Sequence, residues 1–240
     1  MIVIPMVGLS SRFFKAGFTK PKFQLDLAGE SVFARAVRSF DHYFKSDRFL
    51  FITRTDYDTP DFVKRELDKL GIEDYAIKSL AHDTRGQAET VSLGLGDTSD
   101  EEPLYIFNID TFRYRYRKPE FVDSCAGYLE VFEGEGDHWS FIEADSAGNV
   151  VRTTEKERIS SLCSDGLYYF SQRADFESAL EHARRTSLTV KGEYYIAPLY
   201  NRLIETGASV KFDIVQPADI DFCGTPDEFQ ALMDKWDRHD

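Results

Sequence analysis

Hydrophobic residues along this chain change their spacing near residue 111. Before that point, short apolar runs alternate with stretches of helical period. Residues 2–6 form an unbroken apolar run, the pattern of a strand buried on both faces. Phe33, Val37, Phe40 and Phe44 are spaced by three and four and predict a helix. A second strand is expected at 48–53. Thr59 and Pro60 supply an N-cap and a first-turn proline for a helix that Gly71 ends. A short strand at 75–79, a helix at 87–95 and a strand at 104–110 that closes on Asp110 complete this half. Beyond it, runs at 127–133, 139–144, 150–155 and 167–171 predict strands joined by tight turns, with Ser146, Ala147, Gly148 and Asn149 as a hairpin signal. Helices are expected at 174–185 and 194–206, a late strand at 210–215 and a terminal helix at 226–236.

Repeated strand–helix–strand units imply a mostly parallel sheet with helices on both faces. The second half adds strands of more antiparallel character. The fold class is therefore α/β, a three-layer, Rossmann-like mixed sheet in a single domain over residues 1–240. In doubly wound sheets ligands bind beyond the carboxyl ends of the strands. The loop after the first strand and Asp110 both fall there.

That loop reads Val7, Gly8, Leu9, Ser10, Ser11 and Arg12, with Lys22 following Pro21. Small residues let the main chain approach an anion, and cationic side chains can close over it. The first 25 residues carry Arg12, Lys15, Lys20 and Lys22 and no acid, in a chain of formal net charge −13. So strong a local reversal points to an anionic small ligand. An ordinary strand-to-helix turn with solvated lysines is the plainer alternative. Asp110 is placed to hold a divalent cation, because Mg²⁺ takes one or two carboxylates and leaves its other positions to phosphate and water. Its alternative is a turn-capping Asp.

Gly8-Leu9-Ser10-Ser11-Arg12-Phe13 followed by Pro21-Lys22 resembles the signature loop of the sugar-1-phosphate nucleotidyltransferases. The small-molecule cytidylyltransferases, such as the phosphocholine and phosphoglutamine enzymes, share it. Two positions depart from the family's usual pattern: Val7 stands where Ala is usual, and Ser10 where a second Gly is usual. The resemblance implies a nucleotide-diphospho-sugar transferase (GT-A-like) architecture, with residues 1–111 and 208–240 as a nucleotide-binding core and 112–207 as an acceptor-binding subdomain. It implies a Mg²⁺-dependent transfer of NMP from an NTP to a phosphorylated acceptor, a sugar 1-phosphate or another small phosphorylated metabolite, with release of pyrophosphate. The compact chain, without the left-handed β-helix extension of some sugar enzymes, resembles the cytidylyltransferases and so points to CTP, with surface-polysaccharide or capsule precursor synthesis as the setting.

Carried over residue by residue, the resemblance makes Arg12, Lys22 and Asp110 catalytic, with Arg12 on the β and γ phosphates and Lys22 on the α-phosphate. Val7, Gly8, Leu9, Ser10, Ser11, Arg12 and Lys22 would bind the nucleotide, with Gly86, Gln87 and Ala88 at the base; the Gln87 amide has the donors and acceptor to pair with a base edge. Asp110 and Asp221 would hold the Mg²⁺, with Asp219 competing for the second position. Asp221 precedes Gly224-Thr225-Pro226 as in the family's late motif, although Thr225, Pro226, Asp227 and Glu228 also make a capping box that starts the last helix. On the acceptor side, Glu155 and Lys156 resemble a Glu-Lys pair that meets the acceptor, and Glu193 opens an acceptor-facing segment. Arg113, Arg115 and Arg117 alternate and, if extended, share one face; Arg113, nearest Asp110, is the candidate for an acceptor phosphate.

Composition narrows the partners. An excess of 42 acids over 29 bases argues against general nucleic-acid binding. No apolar run approaches the ~18–20 residues of a membrane span, and with a strand starting at Ile2 no signal peptide is expected ahead of it. Cys125, Cys163 and Cys223 are far apart and lack metal-ligand spacing, so a reducing cytoplasm is the simplest setting. A homo-oligomer is compatible with the sequence. There is no Walker A pattern of a P-loop enzyme and no Gly-x-Ser-x-Gly of a serine hydrolase. A glycosyltransferase sharing the sheet and one metal carboxylate, and a non-catalytic nucleotide-binding module, stand as the rival classes.

Overall fold

The N-terminal apolar run becomes β1 (Ile2–Pro5), with Ile2, Val3 and Ile4 fully buried. The structure is a computed structural model that describes residues 1–236. After β1 come α1 (Ser11–Lys15), a small hairpin of β2 (Asp26–Leu27) and β3 (Glu30–Ser31), α2 (Val32–Val37), β4 (Phe49–Arg54), α3 (Thr59–Leu70), β5 (Tyr75–Leu80), α4 (Gln87–Leu95) and β6 (Leu104–Phe107). The second half runs β7 (Thr111–Arg113), β8 (Gly127–Glu133), β9 (Ser140–Ala144), β10 (Val150–Glu155), β11 (Leu162–Phe170), α5 (Arg173–Thr186), α6 (Tyr200–Glu205), β12 (Val210–Ile214), β13 (Ile220–Phe222) and α7 (Pro226–Trp236).

Nine of the strands form one mixed sheet in the order β10-β9-β11-β6-β1-β4-β5, with β8 pairing β11 and carrying β12 on its other side. The pairs β1–β4, β1–β6 and β4–β5 are parallel, and β11 runs antiparallel to β6. From β1 the chain winds outward through β4 and β5, then crosses back to β6 on the far side of β1. The strand order therefore reverses between β1 and β6, and a crevice opens beyond their carboxyl ends. Alternation along the strands feeds two cores. Ile2, Ile4, Phe49 and Phe51 face a phenylalanine-rich layer with Phe13, Phe33 and Phe40. Val3, Leu50, Ile52 and Ile106 face the layer built by α4 and α5. Among the described residues no helix is long and apolar enough to cross a membrane, and Cys125, Cys163 and Cys223 are free and buried.

Several expected boundaries move for identifiable reasons. The helix expected through Phe44 stops at Val37 and tightens into a 3-10 turn, Arg38–Tyr43, in which Phe40 leaves helical geometry (φ −107°, ψ 23°). Its ring is wedged edge-on against Phe107 and Tyr116, at 5.0 and 5.1 Å between centroids. The helix expected from residue 194 starts at Tyr200, because the Tyr194 main chain is used elsewhere: its N–H donates to Arg85 O and its C=O accepts the Ala88 N–H. The arginine alternation fails at Arg115, whose φ of 56° ends the extended run, so Arg113, Arg115 and Arg117 do not share a face. The late strand β12 pairs in parallel with β8 and so joins the second half of the sheet.

Phe40 is fully buried where the 3-10 turn meets the sheet. Phe40→Ala is expected to cost about 3–5 kcal/mol of unfolding free energy, read from chemical denaturation midpoints at unchanged slope.

Candidate active site

Two hollows open at the switch point and share a floor. The first, about 560 Å³, lies between the loop after β1 and the start of α4, with Val7, Gly8, Thr84, Gly86 and Glu193 in its walls. The second, about 310 Å³, lies toward the antiparallel half, under Trp139, Glu155, Tyr195 and Phe222. Lys22, Gln87, Asn108 and Asp110 line both. A volume of this size suits a small ligand of nucleotide dimensions in the first hollow.

The signature loop is built by a local exchange of backbone freedom for a side-chain bond. Ser10 takes the left-handed conformation at φ 50°, where Gly is the usual residue. Its hydroxyl accepts the Lys22 N–H at 3.1 Å, which ties the loop to the segment after Pro21. Among the described residues, the main-chain N–H groups of Gly8, Leu9 and Ser10 have no hydrogen-bond acceptor, so they remain available to an anion. Lys22 Nζ donates to Asp110 Oδ2, and both side chains are partly open to solvent. Arg12 is exposed on the side of the second hollow and forms no ion pair among the described residues.

At the start of α4, Gly86 has φ +111° and lies so close to Tyr194 that a Cβ would stand 2.6 Å from its carbonyl oxygen. The Ala88 N–H donates to that carbonyl at 3.0 Å and is therefore committed to the fold. Gln87 is the member of this trio whose side chain reaches the floor: Nε2 donates to Asn108 Oδ1 at 2.6 Å. The strand expected through Asp110 ends at Phe107, and Asn108, which the sequence pattern does not mark, opens the turn that carries Asp110. Asn108 is itself gripped by the β11 bulge. Its N–H donates to Gly166 O at 3.1 Å, and a Cβ at Gly166 would fall 2.1 Å from its amide nitrogen.

Glu155 is buried at the wall of the second hollow, bonded to Ser140 Oγ and 3.5 Å from Lys156 Nζ. Burial pushes its carboxyl above the usual range, against the pull of Ser140 and Lys156. Lys156, left-handed at φ 55°, bonds Tyr195 Oη behind this wall. Trp139 and Phe222 pack at 4.8 Å and make its aromatic side; neither had been singled out, since isolated aromatic residues read as core.

Four expected site residues, counting Asp219 as the alternative to Asp221, are not where the resemblance puts them. Asp221 is turned to α7, where it accepts from Tyr114 Oη at 2.7 Å and from Lys235 Nζ at 2.7 and 2.9 Å. Its neighbour Phe222 takes the hollow side of β13, and strand alternation sends Asp221 to the other. Asp219 pairs with Arg115 and also lies outside the two hollows. Arg113 points inward, its Nε 2.7 Å from fully buried Glu130. Glu193 lines the first hollow and not the second. The capping box forms as expected: Glu228 N–H donates to Thr225 Oγ1 at 3.2 Å, and Glu228 Oε2 accepts from the Gly224 and Thr225 N–H groups at 2.8 Å each.

Known structures of the same form exist. The chain is 45% identical to the nucleoside-diphosphate-sugar pyrophosphorylase from Vibrio cholerae RC9 over 98% of this chain and 100% of that one, with a TM-score of 0.93. A putative glucose-1-phosphate thymidylyltransferase from Bacillus anthracis, in complex with sucrose, shares the fold at 14% identity (98% and 94% of the two chains, TM-score 0.76). So does the inositol-1-phosphate CTP transferase from T. maritima, at 15% identity (98% and 95%, TM-score 0.74). No protein-family model matches the chain, and no curated protein does.

Gly86→Ala is expected to lower stability by about 1–3 kcal/mol through backbone strain and to weaken nucleotide binding, because Gln87 moves with the loop. Paired melting and nucleotide titration would register both losses; an unchanged titration would detach Gln87 from the nucleotide.

Proposed function

The chain belongs to the nucleoside-diphosphate-sugar pyrophosphorylases, among the sugar-phosphate nucleotidyltransferases, and from that membership we propose that it transfers NMP from an NTP to a phosphorylated small-molecule acceptor. The observation that carries the proposal is the pair of hollows meeting over Lys22 and Asp110. In-line transfer needs the attacking acceptor oxygen and the leaving pyrophosphate on opposite sides of the α-phosphorus, with fixed positive charge at the junction. The first hollow would hold the nucleotide and the second the acceptor.

The reaction we read for this family member is an in-line displacement. A phosphate oxygen of the acceptor attacks the α-phosphorus, the new P–O bond forms, the bond from that phosphorus to the β-phosphate bridge oxygen breaks, and pyrophosphate leaves with the electron pair. No covalent enzyme intermediate is required. Lys22 would leave Asp110 for the α-phosphate as charge builds there, and the free N–H groups of the Gly8 loop with Arg12 would hold the β and γ phosphates. Glu155, in the wall of the second hollow, would meet the acceptor directly, and Lys156 would reach it past Tyr195. Gln87, with one amide hydrogen on Asn108, keeps its carbonyl and a second hydrogen for the base edge. CTP is our reading of the donor, a sugar phosphate of the acceptor, and surface-polysaccharide precursor synthesis in the cytoplasm of the setting.

The residues present fit Mg²⁺ held by one protein carboxylate. A Cβ at Gly224 would stand 3.0 Å from Asp110 Oδ2 and 3.5 Å from Glu228 Oε2, so Gly224 leaves room beside the Asp110 carboxylate. Among the described residues no group of three or more His, Cys, Asp or Glu is arranged to hold a metal. Asp110 would hold the ion together with triphosphate oxygens, as Mg²⁺ commonly prefers. When bound, it would neutralise phosphate charge.

Pyrophosphate release, screened with four NTPs against sugar phosphates and other small phosphorylated metabolites, tests the reaction; release with no acceptor pair at all would be expected of neither this enzyme nor its variants. Lys22→Ala should lose on the order of a hundredfold or more in turnover at unchanged melting. Lys156→Ala should instead raise the acceptor KM while the NTP KM stays near its starting value. Near-normal turnover of Lys22→Ala, or equal loss of both affinities in Lys156→Ala, would overturn these roles.

Asp110→Asn should abolish metal-dependent turnover, whereas Asp221→Asn should keep it, because the Asp221 carboxylate is committed to Tyr114 and Lys235. The check is a Mg²⁺ titration of activity for both variants; a collapse in Asp221→Asn would return it to the metal.

A further inference from the structure

Beside the second hollow two carboxyl groups meet that the reaction above does not use. Glu130, on β8, is fully buried, and Asp165, where β11 bulges, is 2% exposed. Arg113 reaches Glu130 Oε1 from β7, and Asp165 Oδ1 accepts the Leu167 N–H at 3.0 Å. This leaves Glu130 Oε2 and Asp165 Oδ2, both shut off from solvent, with no hydrogen-bond donor. The strand register sets them opposite each other: Ser164 pairs with Val131 and Tyr168 with Leu129, and Asp165 and Glu130 lie between those pairs.

Two carboxylates against one guanidinium would bury a net negative charge and two unsatisfied oxygens, a strongly unfavourable arrangement. One proton between them removes both defects and leaves a single anion for Arg113. The surroundings favour its retention. The titratable groups that act on the pair through charge are Tyr168 on Asp165, and Tyr116, Tyr128 and Asp213, the β12 register partner of Glu130, on Glu130; Asp213 and Asp219 act on Arg113. Burial first, and the neighbouring carboxyl in addition, hold the Asp165 group well above the ordinary range.

The pair is coupled to the floor by its backbone. Asp165 O accepts from Thr111 Oγ1 at 2.8 Å, and Gly166 O accepts the Asn108 N–H at 3.1 Å. Those two residues flank Asp110 at a distance of one and two positions. Asp165 itself lines the second hollow.

We propose that Glu130 and Asp165 share one proton, and that this proton sets the charge beneath the second hollow, so that a phosphate-bearing acceptor binds well only while the proton is held. The two are positioning residues: neither touches the reacting atoms. The acceptor part rests on the function proposed above; the shared proton does not.

Infrared spectroscopy of the whole protein separates the two parts. At neutral pH the wild type is expected to have a protonated-carboxyl stretch that is lost at alkaline pH and is missing from Glu130→Gln and Asp165→Asn, in which an amide N–H replaces the proton. Absence of an alkali-sensitive band from the wild type would overturn the shared proton, even if neither variant folds and whether or not turnover is found. In steady state, the wild-type acceptor KM should rise about tenfold as the proton leaves, the effect of one added charge at close range, while the NTP KM stays level. Glu130→Gln, which keeps the protonated-state charge at every pH, should lack that rise. The same alkaline rise in Glu130→Gln, or a parallel rise in the NTP KM of the wild type, would overturn the link to the acceptor.

Discussion

Lys22 and Asp110 stand 88 positions apart in the chain and meet in one ion pair over the carboxyl ends of β1 and β6. The rest of the site is arranged around it. Ser10 pins the Lys22 main chain, Cys223 N–H donates to Asp110 O at 2.7 Å, and the Asn108 turn is clamped by the β11 bulge. Both hollows end on this pair. Its side chains are 20% and 24% exposed, and an ion pair so open to water contributes only about 0–1 kcal/mol. It therefore stabilises little and exchanges easily, which suits the phosphate and metal roles proposed for the two charges.

The second hollow is held by groups that sequence composition would not place in a core. Glu155, Glu130 and Asp165 are buried acids in an acid-rich chain, each with an identifiable partner: Ser140 and Lys156 for the first, Arg113 and each other for the others. Such groups persist in an interior only when hydrogen-bonded, paired or neutral. The β11 bulge makes this possible, because Gly166 at φ +94° lets one strand pair with β8 in two registers and turn the Asp165 carboxyl inward between them.

Much of the fold was legible from residue pattern alone. The parallel half follows from unbroken apolar runs separated by helical periods, since buried parallel strands tolerate little else. The Gly8 loop and Asp110 were legible because local chain direction suffices: each follows the end of a strand, and topology carries strand ends to one edge of the sheet; Lys22, which comes after α1, was legible only through the signature loop. The capping box from Thr225 to Glu228 is likewise local, complete within four residues. The similarity to a pyrophosphorylase at 45% identity agrees with the family that the signature loop suggested.

Asp221, Arg113 and Glu193 needed the tertiary structure, because their side-chain directions depend on a partner strand or a distant loop. Asp221 faces α7 because Phe222 packs against Trp139 on the opposite side of β13. Arg113 turns inward because Glu130 lies buried on β8, and Arg115 leaves the extended conformation. Glu193 joins the first hollow because the Tyr194 backbone seals against Gly86 and forbids the helix expected there. The chain's own pattern thus determined the parallel half of the sheet and set the Gly8 loop and Asp110 at its carboxyl edge, while the junction of Lys22 with Asp110 is a tertiary contact. Only packing between segments far apart in sequence decided which other polar side chains reach that junction, because a strand's pattern says which residues alternate but not which face meets the site.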